Sequence, residues 1–182
     1  VDPLRNPYTP NAGARPPVIL GRDDQLQTFA LLLARMAAGR TEQSMIITGL
    51  RGVGKTVLLG SFRTEALGQS WVVIDSEVSK HSDDAFRRDL VSDFRTALFE
   101  LSPKARWSDR LKRAASVLRS FSISVDPSGS LTAGVDVAAL EGQADSGNLH
   151  RDLSDLFVAI GEAAQEQGRG VVLLYDEVQF LT

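Results

Sequence analysis

The amino-acid sequence predicts an α/β fold with a mostly parallel sheet and flanking helices. Short, mainly apolar runs of strand length occur at 44–48, 71–75 and 171–175, as in strands that are covered on both faces. Between them lie longer stretches in which apolar residues recur every three or four positions, the spacing of amphipathic helices. This alternation of strand and helix is typical of parallel sheets with crossover helices.

Composition excludes several classes of protein. The chain has 182 residues, 43% of them apolar and 24% charged, which fits one globular domain and not a disordered chain. No apolar run reaches the roughly 18 residues of a membrane span, and we expect no signal peptide because the N-terminus lacks an apolar core. Without cysteine there is no disulfide, thiolate metal site or cysteine nucleophile, and His81 and His150 are too isolated for a zinc site. The net charge of −3 gives no overall basic field for nucleic acid, and we expect a cytoplasmic protein.

The N-terminal part predicts an extended arm followed by a helix. Residues 1–17 hold five of the seven prolines, which disfavour a helix there. A domain is predicted over 18–182, and it begins with a short apolar patch. Asp23 or Asp24 is predicted to cap the first helix, which ends at Gly39.

Four further helices are predicted from their apolar spacing and from the residues that cap or end them. They run from Lys55 to about Leu67, from Asp83 to Leu101, onward from a cap at Ser102 and Pro103, and from Leu149 to about Gln167.

The pattern changes between the fourth and fifth helices. Residues 121–125 alternate apolar and polar side chains, an Asp-Pro-Ser-Gly turn follows, and 131–137 alternate again. Alternation on both sides of a turn is typical of a β-hairpin. The sequence therefore predicts an inserted β-hairpin at 121–137.

A glycine-rich loop between the run at 44–48 and the second helix matches the pattern G-x-x-x-x-G-K-[ST] at every fixed position. Its glycines let backbone N–H groups face an anion, and the helix N-terminus adds its dipole to the same site. The pattern predicts a lysine at the β/γ-phosphates and a threonine hydroxyl on Mg²⁺. A chance match in an ordinary turn is the alternative, but the strand-like run before and the helix after favour a phosphate loop. The candidate residues are Gly49, Leu50, Arg51, Gly52, Val53, Gly54, Lys55, Thr56 and Val57.

Two acids end the last apolar run. Asp176 is predicted to hold Mg²⁺ at the carboxyl edge of the sheet, where α/β folds place their ligands. Glu177 is predicted to act as the general base on the attacking water. The alternative is a solvated acidic turn, which the phosphate loop in the same chain disfavours.

These motifs resemble the P-loop NTPases, in the branch that keeps a catalytic glutamate beside the Walker B aspartate. The segment 18–26 is similar to the entry segment of AAA+ proteins of the origin-initiator type and of STAND signalling ATPases. The resemblance implies binding of ATP or ADP with Mg²⁺, and hydrolysis that drives conformational change in a larger protein. It also implies contacts with adenine from Pro17, Val18, Ile19 and Arg22.

The resemblance further implies that the chain covers only the N-terminal part of an ATPase core. In AAA+ proteins the sensor-1 strand lies between the phosphate-loop strand and the Walker B strand, and it follows Walker B in the chain. We therefore expect 44–48 and 171–175 not to pair directly. We also expect self-association or a missing C-terminal domain to complete the core, and very little turnover from residues 1–182 alone.

Other functions stay open beside the ATPase. A nucleotide-gated switch with little turnover needs the same motifs, and a small-molecule kinase is disfavoured because Glu177 suits water activation. Asp126 and Gly129 match the D-x-x-G of GTPases, but they lie in the predicted hairpin turn and no Asn-Lys-x-Asp guanine motif occurs. A basic cluster suits either nucleic-acid phosphates or an ordinary solvated helix face, and it includes Lys104, Arg106, Arg110 and Arg113.

Overall fold

The structure is a computed structural model that describes residues 21–78, 83–102, 107–126, 128 and 137–180. The predicted arm over 1–17 and nearly all of the predicted second hairpin strand lie outside the described residues. Within them the chain forms five α-helices and one pair of parallel strands, which confirms the predicted α/β fold class. The chain divides into two compact units, Val1–Ser70 and Trp71–Thr182.

The first unit contains two helices and the glycine-rich loop between them. Helix α1 spans Asp23–Ala37, and helix α2 spans Lys55–Gly68. The Phe29 and Phe62 rings stack with their centroids 4.2 Å apart and their planes 11° apart, and both side chains are buried. This stack fixes α1 against α2 through two large apolar surfaces.

The start of α1 corrects the predicted cap. Arg22 is the N-cap residue, and its carbonyl accepts the first helical bond from the Leu26 N–H at 3.0 Å. Asp23 and Asp24 lie in the first turn instead. Carboxylates are favoured there because they face the positive end of the helix dipole. Gly39 ends the helix as predicted, with a φ of +73°.

Residues 44–48 correct the predicted first strand. They are irregular backbone in the connection between α1 and α2, and the Ile46 side chain is 82% exposed. An apolar run becomes a strand only where a neighbour supplies its ladder hydrogen bonds. The two described strands pair with each other, and neither pairs with this run.

The second unit is built on those two strands. Strand β1 spans Val72–Glu77, and strand β2 spans Val171–Asp176; they pair in parallel, with Val72 opposite Val171 and Glu77 opposite Asp176. The parallel register places the carboxyl ends of both strands at one edge. The sequence between them forms helix α3 (Asp83–Leu101), helix α4 (Asp109–Val125) and helix α5 (Leu149–Glu166).

The core of the second unit lies between these three helices and the strands. Val72, Ile74 and the inward residues of the helices form one cluster of buried apolar side chains. Val171 and Leu173, opposite Val72 and Ile74, pack against the same cluster. Alternate strand residues therefore face the helices, as the two-residue period of a strand requires.

Helix α4 corrects the predicted hairpin. Residues 121–125 continue the helix, and Phe121 and Ser122 are fully buried. The alternation of apolar and polar residues at 121–125 overlaps the end of a helical repeat. Buried apolar residues recur every three or four positions along α4: Leu111, Ala114, Leu118 and Phe121. An amphipathic helix that is already formed extends at little cost. The first predicted hairpin strand is therefore wrong.

The caps of the later helices are made by side chains. The Ser108 hydroxyl accepts the Leu111 N–H at 3.3 Å at the start of α4, so the cap predicted at Ser102 is wrong. Ser102 instead ends α3, where its N–H donates to the Leu98 carbonyl at 3.2 Å. Asn148 caps α5 by accepting the Arg151 N–H at 3.2 Å. The predicted starts of α3 and α5 are confirmed.

Candidate functional site

The glycine-rich loop leads directly into α2 through left-handed backbone. Gly52 and Gly54 both have a φ of +82°, a region that an L side chain rarely adopts. Gly49 lets the backbone lie close to the Val53 side chain, since a Cβ at position 49 would lie 3.1 Å from the Val53 Cγ2 atom. Gly54 is also the N-cap of α2, and its carbonyl accepts the Leu58 N–H at 3.0 Å. The loop thus bends into a helix N-terminus, which is an anion-binding geometry.

Lys55 is the first residue of α2, and its ammonium folds back over the loop. The Nζ atom donates to the Gly49 carbonyl and to the Leu50 carbonyl, each at 3.1 Å. An ammonium has three donors, so these two bonds place the charge at the loop without exhausting it. The same group is positioned to bind an anionic oxygen there.

The rest of the loop is open to solvent. Leu50 is 81% exposed and Val53 is 42% exposed, while Arg51 and Thr56 are also exposed. Val57 is half-buried on the first turn of α2. The side chains of the loop are therefore not packed into the core of the first unit, and a backbone-mediated phosphate site uses N–H groups of such a loop.

Arg22 is the one predicted base-contacting residue that the structure describes, since Pro17, Val18 and Ile19 lie outside the described residues. Its guanidinium Nη2 donates to the Val53 carbonyl at 2.7 Å. The structure therefore joins Arg22 to the glycine-rich loop, a contact that the sequence analysis missed. No sequence signal reveals this contact, because it depends on how the start of α1 packs against the loop.

The acidic end of β2 is held in a specific turn. The Asp176 Oδ1 atom accepts the Glu177 N–H at 2.9 Å, and the Asp176 carbonyl accepts the Val78 N–H at 3.0 Å. Glu177 has a φ of +57°, uncommon for a residue with a side chain. A short 3₁₀ helix, Val178–Phe180, follows, and the Phe180 N–H donates to the Glu177 carbonyl at 3.1 Å.

Glu177 has a side-chain partner in the short helix that follows it, which the sequence analysis did not predict. The Gln179 Nε2 atom donates a hydrogen bond to Glu177 Oε2. Both residues lie at the carboxyl edge of the sheet in the second unit. A carboxylate in a strained turn, held by a neighbouring amide, has a defined orientation, and such strain clusters at functional sites.

The predicted magnesium ligands are chemically suited to that ion. Thr56 offers a hydroxyl on the first turn of α2, and Asp176 offers a half-buried carboxylate at the end of β2. Mg²⁺ prefers few protein oxygens together with phosphate oxygens and water. In the part of the chain that the structure describes, no three His, Cys, Asp or Glu residues are grouped to hold a metal by themselves. Each of these two oxygens, from Thr56 and Asp176, is of a kind that Mg²⁺ accepts as a ligand.

The comparison with protein families decides the class. The family model described as the AAA ATPase domain matches residues 18–181 of this sequence, nearly the whole chain. The chain belongs to the AAA ATPase domain family. It is therefore a module of the nucleotide-binding, nucleotide-hydrolysing class. No match to this chain was found among curated proteins or among solved structures. Among the described helices of this AAA ATPase domain, none is long and apolar enough to cross a membrane.

A small cleft lies at the carboxyl end of β1 in the AAA ATPase domain, and no sequence motif marks it. It is lined by both strands and by α3, with Asp93 and Tyr175 among its walls. Burial raises the pKa of Asp93, and the charges of Asp89 and Asp75 add to that effect, while a hydrogen bond with Ser76 opposes it. Burial and the Asp93 charge raise the pKa of the Tyr175 phenol.

The predicted basic cluster is partly neutralised within the AAA ATPase domain. Lys112 Nζ lies 3.7 Å from Asp109 Oδ1, and Arg113 Nη1 lies 3.9 Å from Glu162 Oε2. Arg110 is exposed, whereas Lys104 and Arg106 lie outside the described residues. Ion pairs of this kind are typical of a solvated helix face, so these contacts do not favour a nucleic-acid surface.

Proposed function

We propose that this AAA ATPase domain binds ATP with Mg²⁺ and hydrolyses it to drive conformational change in a larger protein. The observation that carries the proposal is the phosphate loop, in which Gly52 and Gly54 are left-handed and Lys55 bonds across the loop. Backbone N–H groups at a helix N-terminus, together with one ammonium, recognise a phosphate chain.

Each polar group at the two motifs receives a role in this proposal. Lys55 exchanges its carbonyl partners for β- and γ-phosphate oxygens, a stronger interaction because both partners are then charged. Thr56 and Asp176 are the residues that would hold Mg²⁺, which would neutralise charge on the phosphates. Glu177 accepts the proton of the attacking water, and the hydrogen bond from Gln179 sets the direction of its carboxylate.

The finer family assignment belongs to this proposal as well. The entry segment supports an ATPase similar to the origin-initiator and STAND types, with Pro17, Val18, Ile19 and Arg22 next to adenine. In that reading the base lies beside the start of α1 and the phosphates beside the start of α2.

A second candidate is a nucleotide-gated switch with little turnover. The observation that favours it is the engagement of Glu177 by Gln179, because the carboxylate oxygen that accepts the amide N–H must release it before that oxygen can take a proton from water. In that case nucleotide binding alone would shift the conformation, and hydrolysis would be incidental.

Phosphate release from the full-length protein, compared with the Glu177→Gln variant, tests the proposal. We expect both proteins to bind ATP and only the wild type to turn over, with a rate about 10²-fold or more above the variant, the usual contribution of a general base. Equal rates with retained binding would establish the switch instead. No ATP binding by the wild type would overturn both readings. ADP formation that requires an added small acceptor would identify a kinase.

A further inference from the structure

The contact between Arg22 and Val53 links the segment before α1 to the phosphate loop. The guanidinium Nη2 lies 2.7 Å from the Val53 carbonyl oxygen, a short distance for a bond from nitrogen to oxygen. A charged donor makes such a bond stronger than one between neutral groups. Thirty-one residues separate the two partners, so the bond is a tertiary restraint on the loop.

The restraint acts on the peptide unit that leads into Gly54. A trans peptide is planar, and its C=O and N–H point in opposite directions. When Arg22 holds the Val53 carbonyl, it therefore also directs the Gly54 N–H, which belongs to the same plane. A free peptide could turn its carbonyl toward the loop mouth, where it would repel a phosphate.

Gly54 is thereby held on both sides. On its carboxyl side its carbonyl accepts the Leu58 N–H at 3.0 Å and so begins the ladder of α2. On its amino side the preceding peptide is fixed by Arg22. A glycine at a φ of +82° has much freedom to lose, so fixing both neighbouring peptides is an efficient way to preorganise it.

Arg22 is itself anchored by the packing of the first unit. Its carbonyl accepts the Leu26 N–H at 3.0 Å as the N-cap of α1. Helix α1 is fixed to α2 by the stacked rings of Phe29 and Phe62. The guanidinium therefore projects from a backbone that moves together with the helix that follows the loop.

We propose that Arg22 is a positioning residue that holds the phosphate loop in its anion-binding conformation through the Val53 carbonyl. This inference rests on the proposed nucleotide binding and deepens it. Arg22 serves the phosphate chain of any nucleotide, and not the base alone. Its loss weakens the binding of every ligand that carries the phosphates, by the same factor.

The test measures the affinity of the full-length protein for ATP, GTP and inorganic tripolyphosphate, each with Mg²⁺, in the wild type and in Arg22→Gln. We expect all three affinities to fall about tenfold, equal to about 1.4 kcal/mol, with the ratio of ATP to GTP unchanged. A fall for ATP with tripolyphosphate unaffected would overturn the inference and make Arg22 a base contact. Unchanged affinities for all three would also overturn it.

Two further variants separate positioning from charge and from folding. Arg40→Gln removes a guanidinium from an exposed position in the same unit, and we expect wild-type affinities. Arg22→Lys keeps the charge with a shorter reach, and we expect tripolyphosphate binding between wild type and Arg22→Gln. Wild-type binding by Arg22→Lys would show that charge alone suffices and would overturn the role of the Val53 bond. If the wild type binds none of the ligands, the proposed function fails and not this inference alone.

Discussion

The Gln179 side-chain amide donates to the Glu177 carboxylate across the first turn of the 3₁₀ helix after β2. The backbone of Glu177 is fixed independently, because its N–H donates to Asp176 Oδ1 and its carbonyl accepts the Phe180 N–H. Gln179 therefore orients the Glu177 carboxylate, whereas other hydrogen bonds hold the turn. Gln179 can be replaced while the Glu177 backbone keeps its own hydrogen bonds, so this pair can test how the candidate base is positioned.

Replacing Gln179 with alanine should lower the rate of phosphate release without changing the affinity for ATP. The Glu177 carboxylate loses the hydrogen bond that sets its direction, while its backbone keeps its position. A bond worth about 1 kcal/mol sets the limit at about a fivefold decrease. Steady-state phosphate release by the full-length protein measures it, with Glu177→Gln in the same background as the inactive reference. A higher rate would contradict the positioning role and show that Gln179 restrains the base.

Replacing Lys55 with alanine should weaken ATP binding by about 10- to 100-fold, since hydrogen bonds to charged groups contribute about 1.5–3 kcal/mol. The carbonyls of Gly49 and Leu50 lose their donor but stay solvated, so we expect little change in stability. Titration calorimetry with ATP and Mg²⁺ gives the affinity. Lys112→Ala, which removes an exposed ammonium that pairs with Asp109 one helical turn away, should bind ATP as the wild type does. Equal affinities for both variants would contradict the assignment of Lys55.

Two glycines of the first unit form a matched pair for testing backbone conformation. A Cβ at Gly54 or at Gly60 meets nothing within 4 Å, so neither alanine variant is hindered by contacts. Gly54 has a φ of +82°, and alanine there should cost about 1–2 kcal/mol of stability and weaken ATP binding. Gly60 lies inside α2, where alanine should stabilise by about 0.5–1 kcal/mol. Urea unfolding together with ATP titration separates the two, and similar effects would contradict the role of the left-handed backbone.

The helices were predicted well because their signals are local. Apolar spacing and flanking cap residues place α2, α3 and α5 within a residue or two of their observed ends. The errors have non-local causes. Residues 44–48 read as a strand, but strand formation depends on a partner, which a single segment cannot reveal. Residues 121–125 read as a strand because short alternation fits both periods, and the buried positions of α4 decided the outcome.

The predictions of site features divide in the same way, into local features that a motif records and contacts that depend on tertiary packing. The glycine-rich motif indicated the geometry of the loop, because the pattern itself encodes left-handed glycines before a helix, whereas the binding roles of its residues stay predictions. The bond from Arg22 to Val53 and the raised pKa of Asp93 depend on which elements pack together. No motif in the sequence records such contacts, so only the folded chain reveals them.

Removing the Asp152 carboxylate should destabilise the second unit. Asp152 is fully buried, and its two oxygens accept the Ser146 N–H at 3.0 Å, the Ser146 hydroxyl at 2.6 Å and the Gly147 N–H at 3.1 Å. Bonds to a charged acceptor contribute about 1.5–3 kcal/mol each, and water restores part of the loss, so we expect Asp152→Ala to cost about 2–4 kcal/mol. Asp145→Ala, which removes one exposed bond to the Gly142 N–H, should cost far less in the same urea titration.

The pH dependence of stability should reflect the buried carboxyl of Asp93. Its pKa is raised above the ordinary value of 3.8, chiefly by burial, so in the window just above 3.8 the folded state holds more protons than the unfolded state. The free energy of unfolding should therefore fall as the pH rises through that window, and the penalty is complete above the folded pKa.

Asp93→Asn removes this charge while keeping an oxygen that accepts the hydrogen bond from Ser76. We expect the variant to be more stable than the wild type at pH 7, because the buried charge is gone, and to lose the decline in stability just above pH 3.8. Urea titrations between pH 4 and pH 8 measure both effects. Glu141→Gln, at an exposed carboxylate, is the control and should follow the wild type at every pH. A variant less stable than the wild type at pH 7, with an unchanged slope, would show that the Asp93 charge is compensated by its surroundings.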